Sequence, residues 1–382
     1  MAGLDQELMH FLEVDLPILA TSEKTYFDRL AGPNPDIVIH GFGKLGKKIA
    51  AGLERVGQPA TVFSDANQSY WGTRQGNLMV VSPEEAARKF GQSHVFVVTV
   101  WRNYPKVREA LLQAGARHVE HFLPLLWKHS RELLPNYNLH LPSRMRESRE
   151  RIERAFGLLK DTVSQREFLF QLRWMTSLHA TDVPPCLELK DQYFPNDLFH
   201  LGKHEVFVDC GAYDGDTVKA FLECTRSEFA GIIAIEPDSA NVKALETAVA
   251  SLPPHLQPKI QIKPFGVGSK DEAVAFAATG SESSAIDRQG EATVEVKRLD
   301  YLLTETAPTY LKMDIEGAEL DALNGAEATI RKHSPKLAVC LYHVQEHLWE
   351  IPLKIYELQP SYRVFIRRHR DEFGDVVCYA LP

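Results

Sequence analysis

VDCGAYDG, residues 208–215, is the stretch that decides the fold of the second half of the chain. It follows an apolar segment with a strand pattern and precedes DTVKAFLEC, whose apolar residues have helical spacing. Gly211 and Gly215 let the backbone pass close to a ligand, and the start of the helix offers free N–H groups. Asp209 and Asp214 add negative charge, which favours a cationic ligand over a pyrophosphate. Taken alone, the motif also fits an ordinary α/β turn that carries acidic residues.

A second motif, IEPD (residues 235–238), lies at the predicted carboxyl end of the next strand. An acidic residue at this place, here Glu236, can accept hydrogen bonds from both hydroxyls of a ribose. Glu236 follows Gly211 by 25 residues, close to the separation that one intervening helix produces. A surface glutamate at a strand end is the alternative, and the order of the two motifs argues against it.

A third motif, YLKMDIEGAELDAL (residues 310–323), predicts a buried strand that delivers Asp314 to the edge of the sheet. Charge at the carboxyl end of a strand faces the ligand crevice in such folds, so a role for Asp314 in the site is expected. Gly317 opens a helix, and Glu316 and Glu319 lie near its start. Their structural alternative is to stabilise the positive end of the helix dipole.

A fourth motif, CLYH, places His343 just beyond the next predicted strand. A histidine can accept a hydroxyl proton near neutral pH, which makes His343 a candidate general base. A hydrogen-bonded structural histidine is the alternative. His347 either shares a helix face with His343 or is an ordinary surface residue.

Strand and helix patterns alternate around these motifs, which predicts an α/β fold with a parallel sheet. EAVAFAA (272–278) and TVEVKRLD (293–300) interrupt the alternation and indicate an antiparallel excursion. YRVFIRRH (362–369) and VVCYAL (376–381) predict an antiparallel hairpin that closes the sheet at the end of the chain.

Taken together, these segments resemble the FkbM-type methyltransferase family. The resemblance covers about residues 190–382, from DQYFPNDLFHLGKHEVFVDCGAYDGDT through IEPD, YLKMDIEGAELDALNGA and PKLAVCLYH to the terminal hairpin. It implies a class I, Rossmann-like methyltransferase sheet, S-adenosylmethionine as methyl donor and, usually, a hydroxyl as acceptor. Members commonly act on sugars in bacterial polysaccharide or secondary-metabolite pathways, which extends to this chain only by analogy.

By position, the resemblance assigns the methionine end of the donor to the loop after the first strand, the ribose to Glu236 and the adenine to the segment after the third strand. The implied donor-binding residues are Asp209, Gly211, Ala212, Tyr213, Asp214, Gly215, Thr217, Glu236, Pro237, Phe265, Gly266 and, in a more loosely matched loop with Ser283, Ser284. Asp314, His343 and Glu316 are the predicted catalytic residues. His343 or Asp314 would accept the hydroxyl proton, or Asp314 with Glu316 or Glu319 would hold a magnesium ion.

The N-terminal half carries a second glycine loop, GFGKLG (residues 41–46), which follows the strand pattern DIVIH and opens a helix. Gly41, Gly43 and Gly46 satisfy the dinucleotide-binding pattern, and Asp65 lies 24 residues past Gly41, near the position that contacts a ribose. The region, about 90 residues long, is shorter than expected for a dinucleotide domain with six strands. Three interpretations remain open: a nucleotide or nucleotide-sugar site favoured by nearby lysines, an NAD site of an oxidoreductase, and a structural or dimerisation module. A non-catalytic nucleotide-binding scaffold is a further alternative for the whole protein.

Length and composition predict a globular protein of two domains and a connector, since 382 residues exceed one ordinary core. The expected boundaries are a smaller Rossmann-like α/β domain at 1–124, a helical connector or lid at 125–190, and the methyltransferase domain at 191–382. The net charge of −8 argues against nucleic acid as a partner. The longest apolar run is too short to cross a bilayer, and the five isolated cysteines fit a cytoplasmic protein without zinc or disulfides. The expected partner is a small-molecule or saccharide acceptor, and a homodimer is compatible with the sequence.

Overall fold

A computed structural model describes residues 2–101, 103–177, 183–277, 285–286, 292–370 and 374–382. Its contacts divide the chain into two compact units. One consists of Met1–Leu8, Arg149–Trp174 and Ala180–Pro382, and the other of Met9–Ser148 and Met175–His179. The expected connector at 125–190 is therefore shared between the two units.

The N-terminal half begins with helices and continues as alternating strands and helices. Its strands are β1 (Ile37–His40), β2 (Val62–Ser64), β3 (Arg74–Gln75), β4 (Leu78–Val81), β5 (Val95–Val98) and β6 (His118–His121). Its helices are α1 (Ala2–His10), α2 (Leu16–Ser22), α3 (Tyr26–Ala31), α4 (Lys44–Arg55), α5 (Pro83–Phe90), α6 (Tyr104–Gln113), α7 (Leu123–Lys128), α8 (Ser130–Leu133) and α9 (Pro142–Glu147). Phe11–Asp15 forms a π-helical segment between α1 and α2, and Gln68–Tyr70 forms a 3₁₀ turn.

The N-terminal sheet has the order β3-β4-β2-β1-β5-β6. The strands from β4 to β6 pair in parallel, and only β3 runs antiparallel. The sheet has six strands although the region is short, because β3 and β4 form a short hairpin directly before α5. Ser82 caps α5 by accepting a hydrogen bond from the N–H of Glu85 at 3.1 Å, and Pro83 occupies the first turn.

The C-terminal half contains the longer sheet and its covering helices. Its strands are β7 (Val206–Cys210), β8 (Gly231–Ile235), β9 (Ile260–Lys263), β10 (Gly266–Val267), β11 (Glu272–Ala277), β12 (Ala285–Ile286), β13 (Ala292–Lys297), β14 (Tyr310–Met313), β15 (Lys336–Cys340), β16 (Arg363–Arg368) and β17 (Val376–Leu381). Its helices are α10 (Arg149–Leu158), α11 (Thr162–Ser177), α12 (Asp216–Cys224), α13 (Ser239–Ala250), α14 (Leu299–Leu302), α15 (Glu319–Asn324), α16 (Glu327–His333) and α17 (His347–Leu358). Leu189–Asp191 and Gln257–Lys259 are 3₁₀ turns.

Seven of these strands form a sheet in the order β16-β17-β15-β14-β7-β8-β9. The central strands pair in parallel, whereas β17 is antiparallel to both β15 and β16. The predicted terminal hairpin is therefore confirmed. The predicted antiparallel excursion is confirmed as well, because β11 pairs antiparallel with β13 in a separate small sheet.

The core of the C-terminal unit lies between the sheet and its helices. The rings of Phe207 on β7 and Phe221 on α12 stack with centroids 4.6 Å apart, and Tyr310 on β14 packs beside them. The edge strand β16 is tied to α11, because Arg368 on β16 pairs with the buried carboxylate of Glu167 at 3.1 Å. Among the described residues, every helix is too short or too polar to span a membrane.

Candidate active site at the carboxyl edge of the C-terminal sheet

The chain leaves β7, β8, β14 and β15 at one edge of the sheet, and this parallel arrangement brings the predicted motifs together. The N–H groups of Gly211 and Ala212 donate to the carbonyl of Ile235 at 3.0 and 3.1 Å. The N–H of Asp314 donates to the carbonyl of Cys210 at 3.1 Å. The loops that follow three strands are thus in register, as the carboxyl-edge rule predicts.

The loop after β7 requires glycine at two positions. Gly211 has φ of +81°, and a Cβ atom there would lie 1.8 Å from the carbonyl oxygen of Asp314. Gly215 has φ of +90° and precedes the first residue of α12. The loop can therefore pass this close to the start of the loop after β14 only without side chains at these positions.

Glu236 is buried directly beyond β8, where it holds the glycine loop. Its Oε2 accepts a hydrogen bond from the N–H of Tyr213 at 3.1 Å, and its Oε1 accepts from the N–H of Asp238 at 2.9 Å. Burial raises the pKa of the Glu236 carboxyl, although these backbone bonds and Asn241 oppose the shift. Oε1 also accepts from Nδ2 of Asn241 at 3.3 Å, so the further lone pair that a ligand hydroxyl can use is on Oε2.

Asp209 faces Lys312 across neighbouring strands in a fully buried ion pair. The two residues are direct partners in the β7–β14 register, with Oδ1 and Nζ 2.9 Å apart. Lys312 also donates to the carbonyl of Gly211 at 2.7 Å, so the pair supports the glycine loop. Burial raises the pKa of Asp209 to about 6 against the opposing effect of Lys312, so both groups are charged at neutral pH. The Asp209 carboxylate has no exposed surface, and its direct contact with a donor stays a prediction.

Asp314 receives two phenol hydrogen bonds. Tyr193 donates to Oδ2 at 2.7 Å, and Tyr342 donates to Oδ1 at 3.0 Å. Burial alone would raise the pKa of Asp314, but Lys312, His343 and the Tyr193 hydroxyl outweigh it and lower the pKa. Asp314 is therefore an ionised and well-bonded carboxylate, which makes it a weak base.

His343 lies among three carboxylates. Its Nδ1 is 2.8 Å from Oε1 of Glu319, and its Nε2 is 3.4 Å from Oδ1 of Asp314 and 3.7 Å from Oε1 of Glu316. Burial lowers the pKa of the imidazole, but Glu319 and the other carboxylates overcome this effect and raise it to about 9. In the absence of another cation, His343 is protonated at neutral pH and must release a proton before it can act as a base.

Glu319 is the residue that organises this cluster. It is completely buried, and its Oε1 accepts from the N–H groups of Ile315 and Gly317 at 3.0 and 3.4 Å. His347 also lies against it, with Nδ1 3.2 Å from Oε2. Burial raises the pKa of Glu319, but the two histidines outweigh burial and hold it well below its usual range. His347 is buried, so its interpretation as a surface residue was wrong.

Most of the remaining predicted donor residues follow β7, β8 or β9. Asp214 accepts from the N–H of Asp216 at 3.2 Å, and Thr217 is buried in the first turn of α12. Pro237 is half-buried between Glu236 and the helix cap of α13. Phe265 and Gly266 follow β9, and Gly266 begins β10. Ser284 and Ser283 lie outside the described residues.

Sequence reasoning missed Tyr193, Lys312 and Tyr342. Lys312 had a detectable signal, because a lysine inside the apolar strand YLKM requires a buried anionic partner. Tyr342 adjoins the predicted His343, so its place near the edge was implied but its contact was not. Tyr193 had no signal, because it reaches Asp314 from a distant segment and adopts φ of +82°.

The N-terminal sheet presents its own glycine loop at its carboxyl edge. Gly41 has φ of +117°, and Gly46 packs so closely that a Cβ would lie 2.0 Å from the carbonyl of Gly41. Gly43 precedes α4 without a side-chain cap. Asp65 accepts from the N–H of Phe42 at 2.7 Å, so the structure brings the four predicted residues of this loop together.

Comparison with solved structures supports the fold of the whole chain. The crystal structure of methyltransferase FkbM from Methylobacillus flagellatus KT matches with a TM-score of 0.79, covers 97% of this chain and 99% of that chain, and is 20% identical. This match confirms the predicted α/β fold.

Two further structures match only parts of the chain. A SAM-dependent methyltransferase from Aquifex aeolicus covers 50% of this chain and 91% of that chain, with 11% identity and a TM-score of 0.28. UDP-D-quinovosamine 4-dehydrogenase from Vibrio fischeri covers 23% of this chain and 75% of that chain, with 19% identity and a TM-score of 0.19. No curated protein matches the chain significantly.

The family comparison locates the match within the C-terminal sheet. Residues 209–374 match the family model described as Methyltransferase FkbM domain. The matched range includes the glycine loop, Glu236, Asp314 and His343, the residues that carried the resemblance in the sequence. The C-terminal half of the chain therefore carries a methyltransferase FkbM domain at residues 209–374.

Proposed function

We propose that the protein is an S-adenosylmethionine-dependent methyltransferase that methylates a hydroxyl group of a small molecule or saccharide. The observation that carries this proposal is the convergence of the Gly211 loop, Glu236 and Asp314 at one carboxyl edge. The edge is rich in carboxylates, which suits a donor with a positive sulfonium and ammonium group. When bound, this donor supplies an electrophilic methyl group, so no covalent enzyme intermediate is needed.

Different residues of this edge would bind different parts of the methyl donor. Glu236 would accept hydrogen bonds from the ribose hydroxyls, and the loop from Gly211 to Gly215 would lie along the methionine end. Phe265 and Gly266 would border the adenine. Asp209 acts behind the loop, since its partner Lys312 holds the carbonyl of Gly211.

Asp314 and His343 would face the methyl group and the acceptor. In the proposed reaction, the acceptor oxygen would bond to the methyl carbon, the electron pair of the broken C–S bond would stay on sulfur, and the hydroxyl proton would pass to a base. Placing that oxygen in line with the methyl group can contribute up to about 7–11 kcal/mol in ideal cases. His343 or Asp314 would take the proton, or a bound cation would acidify the hydroxyl.

Calorimetric titration tests the donor assignment. S-adenosylmethionine and NAD are titrated separately into the full chain, and we expect saturable binding of S-adenosylmethionine. Binding of NAD alone would refute the proposal, and binding of neither would favour a non-catalytic scaffold.

Turnover measurements test the proton acceptor. The acceptor is sought among hydroxylated saccharides, with S-adenosylhomocysteine measured as the product. A His343→Ala variant with near-normal turnover would eliminate His343 as the base. Full activity after EDTA treatment would eliminate a cation that the chelator removes.

The N-terminal unit is a second candidate binding site, for a nucleotide or nucleotide-sugar. The observation that favours it is the contact between the Phe42 N–H and Asp65, which gives the loop the form of a nucleotide-binding turn. The NAD titration and a parallel UDP-sugar titration test this candidate. A cytoplasmic location and a homodimer stay predictions.

A further inference from the structure

The side of His343 that faces the candidate active site carries an unsatisfied nitrogen. The His343 side chain is 3% exposed, and its Nε2 has no hydrogen-bond partner among the described residues. The atoms nearest to it on this side are carboxylate oxygens, Oδ1 of Asp314 at 3.4 Å and Oε1 of Glu316 at 3.7 Å. A buried nitrogen without a hydrogen bond is costly, so its position between two anions requires an explanation.

The other side of the ring is held in place. Glu319 lies 2.8 Å from Nδ1, and its own orientation is set by the backbone N–H groups of Ile315 and Gly317. A carboxylate that binds one imidazole nitrogen and directs the other toward a cation is the usual arrangement around metal-bound histidines. Glu319 therefore orients Nε2 toward the carboxylates.

The carboxylates of Asp314 and Glu316 lie on the Nε2 side of His343, whereas Glu319 lies between His343 and His347. The nearby Lys312 is committed to Asp209 at 2.9 Å. The phenols that contact Asp314 are neutral donors. Carboxylate oxygens beside one imidazole nitrogen are donor types that a divalent cation binds.

The distances from Nε2 to the two carboxylates are close to those between ligand atoms of one metal ion. With bonds of about 2.1 Å, neighbouring ligand atoms of one ion lie roughly 3.0–3.4 Å apart. The distances from Nε2 to the two carboxylates are 3.4 and 3.7 Å, and an oxygen of Glu319 lies within 4.8 Å of ligand atoms of both Asp314 and His343. The side chains of Asp314 and Glu316 are each 23% exposed, which leaves coordination positions open toward the crevice.

We propose that His343 Nε2, Asp314 and Glu316 bind one divalent first-row transition metal ion, with Glu319 orienting the imidazole. The imidazole ligand favours Mn²⁺, Fe²⁺ or Zn²⁺ over Mg²⁺, which prefers oxygen ligands alone. Binding of the ion does not depend on the proposed function. Its role does rest on that function, since a hydroxyl oxygen bound to the ion would lose its proton more readily.

The test is a titration of the full chain, stripped of metal, with MnCl₂, followed by electron paramagnetic resonance of free Mn²⁺. We expect one saturable site. His343→Gln should weaken binding by about 100-fold or more, and Glu319→Gln by about 10–100-fold. The matched control His255→Gln changes an exposed histidine of the same unit and should bind Mn²⁺ like the unmodified chain.

Three outcomes would overturn the inference: no saturable Mn²⁺ binding by the unmodified chain, equal binding by His343→Gln, or displacement of Mn²⁺ by an equal concentration of Mg²⁺. If His343→Gln does not fold, Glu316→Gln replaces it, because this side chain is partly exposed. Titration of the same samples with S-adenosylmethionine separates the two proposals. Donor binding without metal binding refutes only the metal site, and metal binding without donor binding refutes only the proposed function.

Discussion

In both parallel sheets of this chain, an acidic side chain at the carboxyl edge accepts a hydrogen bond from the backbone of the glycine loop. In the N-terminal sheet the N–H of Phe42 donates to Asp65 at 2.7 Å. In the C-terminal sheet the N–H of Tyr213 donates to Glu236 at 3.1 Å. In each case a glycine loop after the first strand is fixed by the acidic residue after the second strand. This hydrogen bond alone therefore does not distinguish the functions of the two units.

The edges differ in the cross-strand pair beside the loop. In the C-terminal sheet, Asp209 and Lys312 are register partners that form a buried ion pair. In the N-terminal sheet, His40 and Ser64 are register partners, and Nδ1 and Oγ lie 3.2 Å apart in a neutral contact. The cross-strand pair beside the glycine loop is therefore charged in the C-terminal sheet and neutral in the N-terminal sheet.

The largest expected effect comes from breaking the charged pair. Lys312→Met should lower the free energy of unfolding by about 3–5 kcal/mol, because it leaves the Asp209 carboxylate buried without a counter-charge. Ser64→Ala removes one neutral contact at the N-terminal edge and should cost about 1 kcal/mol. Urea unfolding of the two variants measures the difference.

A double variant provides the control for this first prediction. Asp209→Val with Lys312→Met removes both charges, and it should recover much of the loss. If Lys312→Met lowers the free energy of unfolding no more than Ser64→Ala does, the buried ion pair is no more important to stability than the neutral contact.

The glycine loops offer a second contrast. Gly211→Ala would place a Cβ 1.8 Å from the Asp314 carbonyl at φ of +81°, so we expect a loss of about 2–4 kcal/mol and of donor binding. Gly43→Ala enters open space in an extended conformation and should leave the stability nearly unchanged. Thermal unfolding checks both values.

The Gly43→Ala variant also tests the N-terminal loop for a ligand. Because the protein leaves room for the methyl group, reduced nucleotide binding by a stable Gly43→Ala protein would indicate a ligand packed on the loop.

Equal stability of Gly211→Ala and the unmodified chain would contradict the close approach of Gly211 to the Asp314 carbonyl.

Much of the fold was predictable, because its signals are local. VDCGAYDG, IEPD and KMDIEG each combine an apolar strand with a polar residue directly after it, and parallel pairing then brings Asp209, Glu236 and Asp314 to one edge. The hairpin of β3 and β4 was missed. Its first strand has two residues, both exposed, so no alternation of buried and exposed positions marks it.

The candidate site was predictable only in part, because its charges are set by tertiary contacts. The position of His343 followed from the motif, but the direction of its pKa shift did not, since Asp314, Glu316 and Glu319 approach it from another strand and its loop. Glu319 illustrates the limit. Its sequence position predicts a helix-dipole role, whereas the fold buries it between His343 and His347.

A third contrast concerns the two acidic residues that hold the loops. Glu236→Gln should weaken S-adenosylmethionine binding by about 10–100-fold, because a charged acceptor of a ribose hydrogen bond becomes a neutral one. Asp65→Asn is the matched change at the other edge, and it should leave this affinity unchanged. Calorimetry on both variants measures the two dissociation constants. A comparable loss in Asp65→Asn would place the donor at the N-terminal edge.

The smallest expected effect concerns His40, the neutral counterpart of the charged groups at the C-terminal edge. Burial lowers the pKa of His40, and Asp65, the charged group near it, opposes this shift only in part. The unfolded chain, with an ordinary histidine pKa near 6.5, therefore binds more protons below that pH than the folded chain. This contribution to stability is present above about pH 6.5 and is lost as the pH falls, by at most about 1.4 kcal/mol per pH unit.

Unfolding of the unmodified chain and of His40→Asn at pH 7 and pH 5.5 isolates the contribution of His40, because other titrating groups are common to both proteins. The stability advantage of the unmodified chain over His40→Asn should shrink at the lower pH. An advantage that grows would mean that His40 is charged in the folded state. The two edges would then be more alike than their contacts indicate.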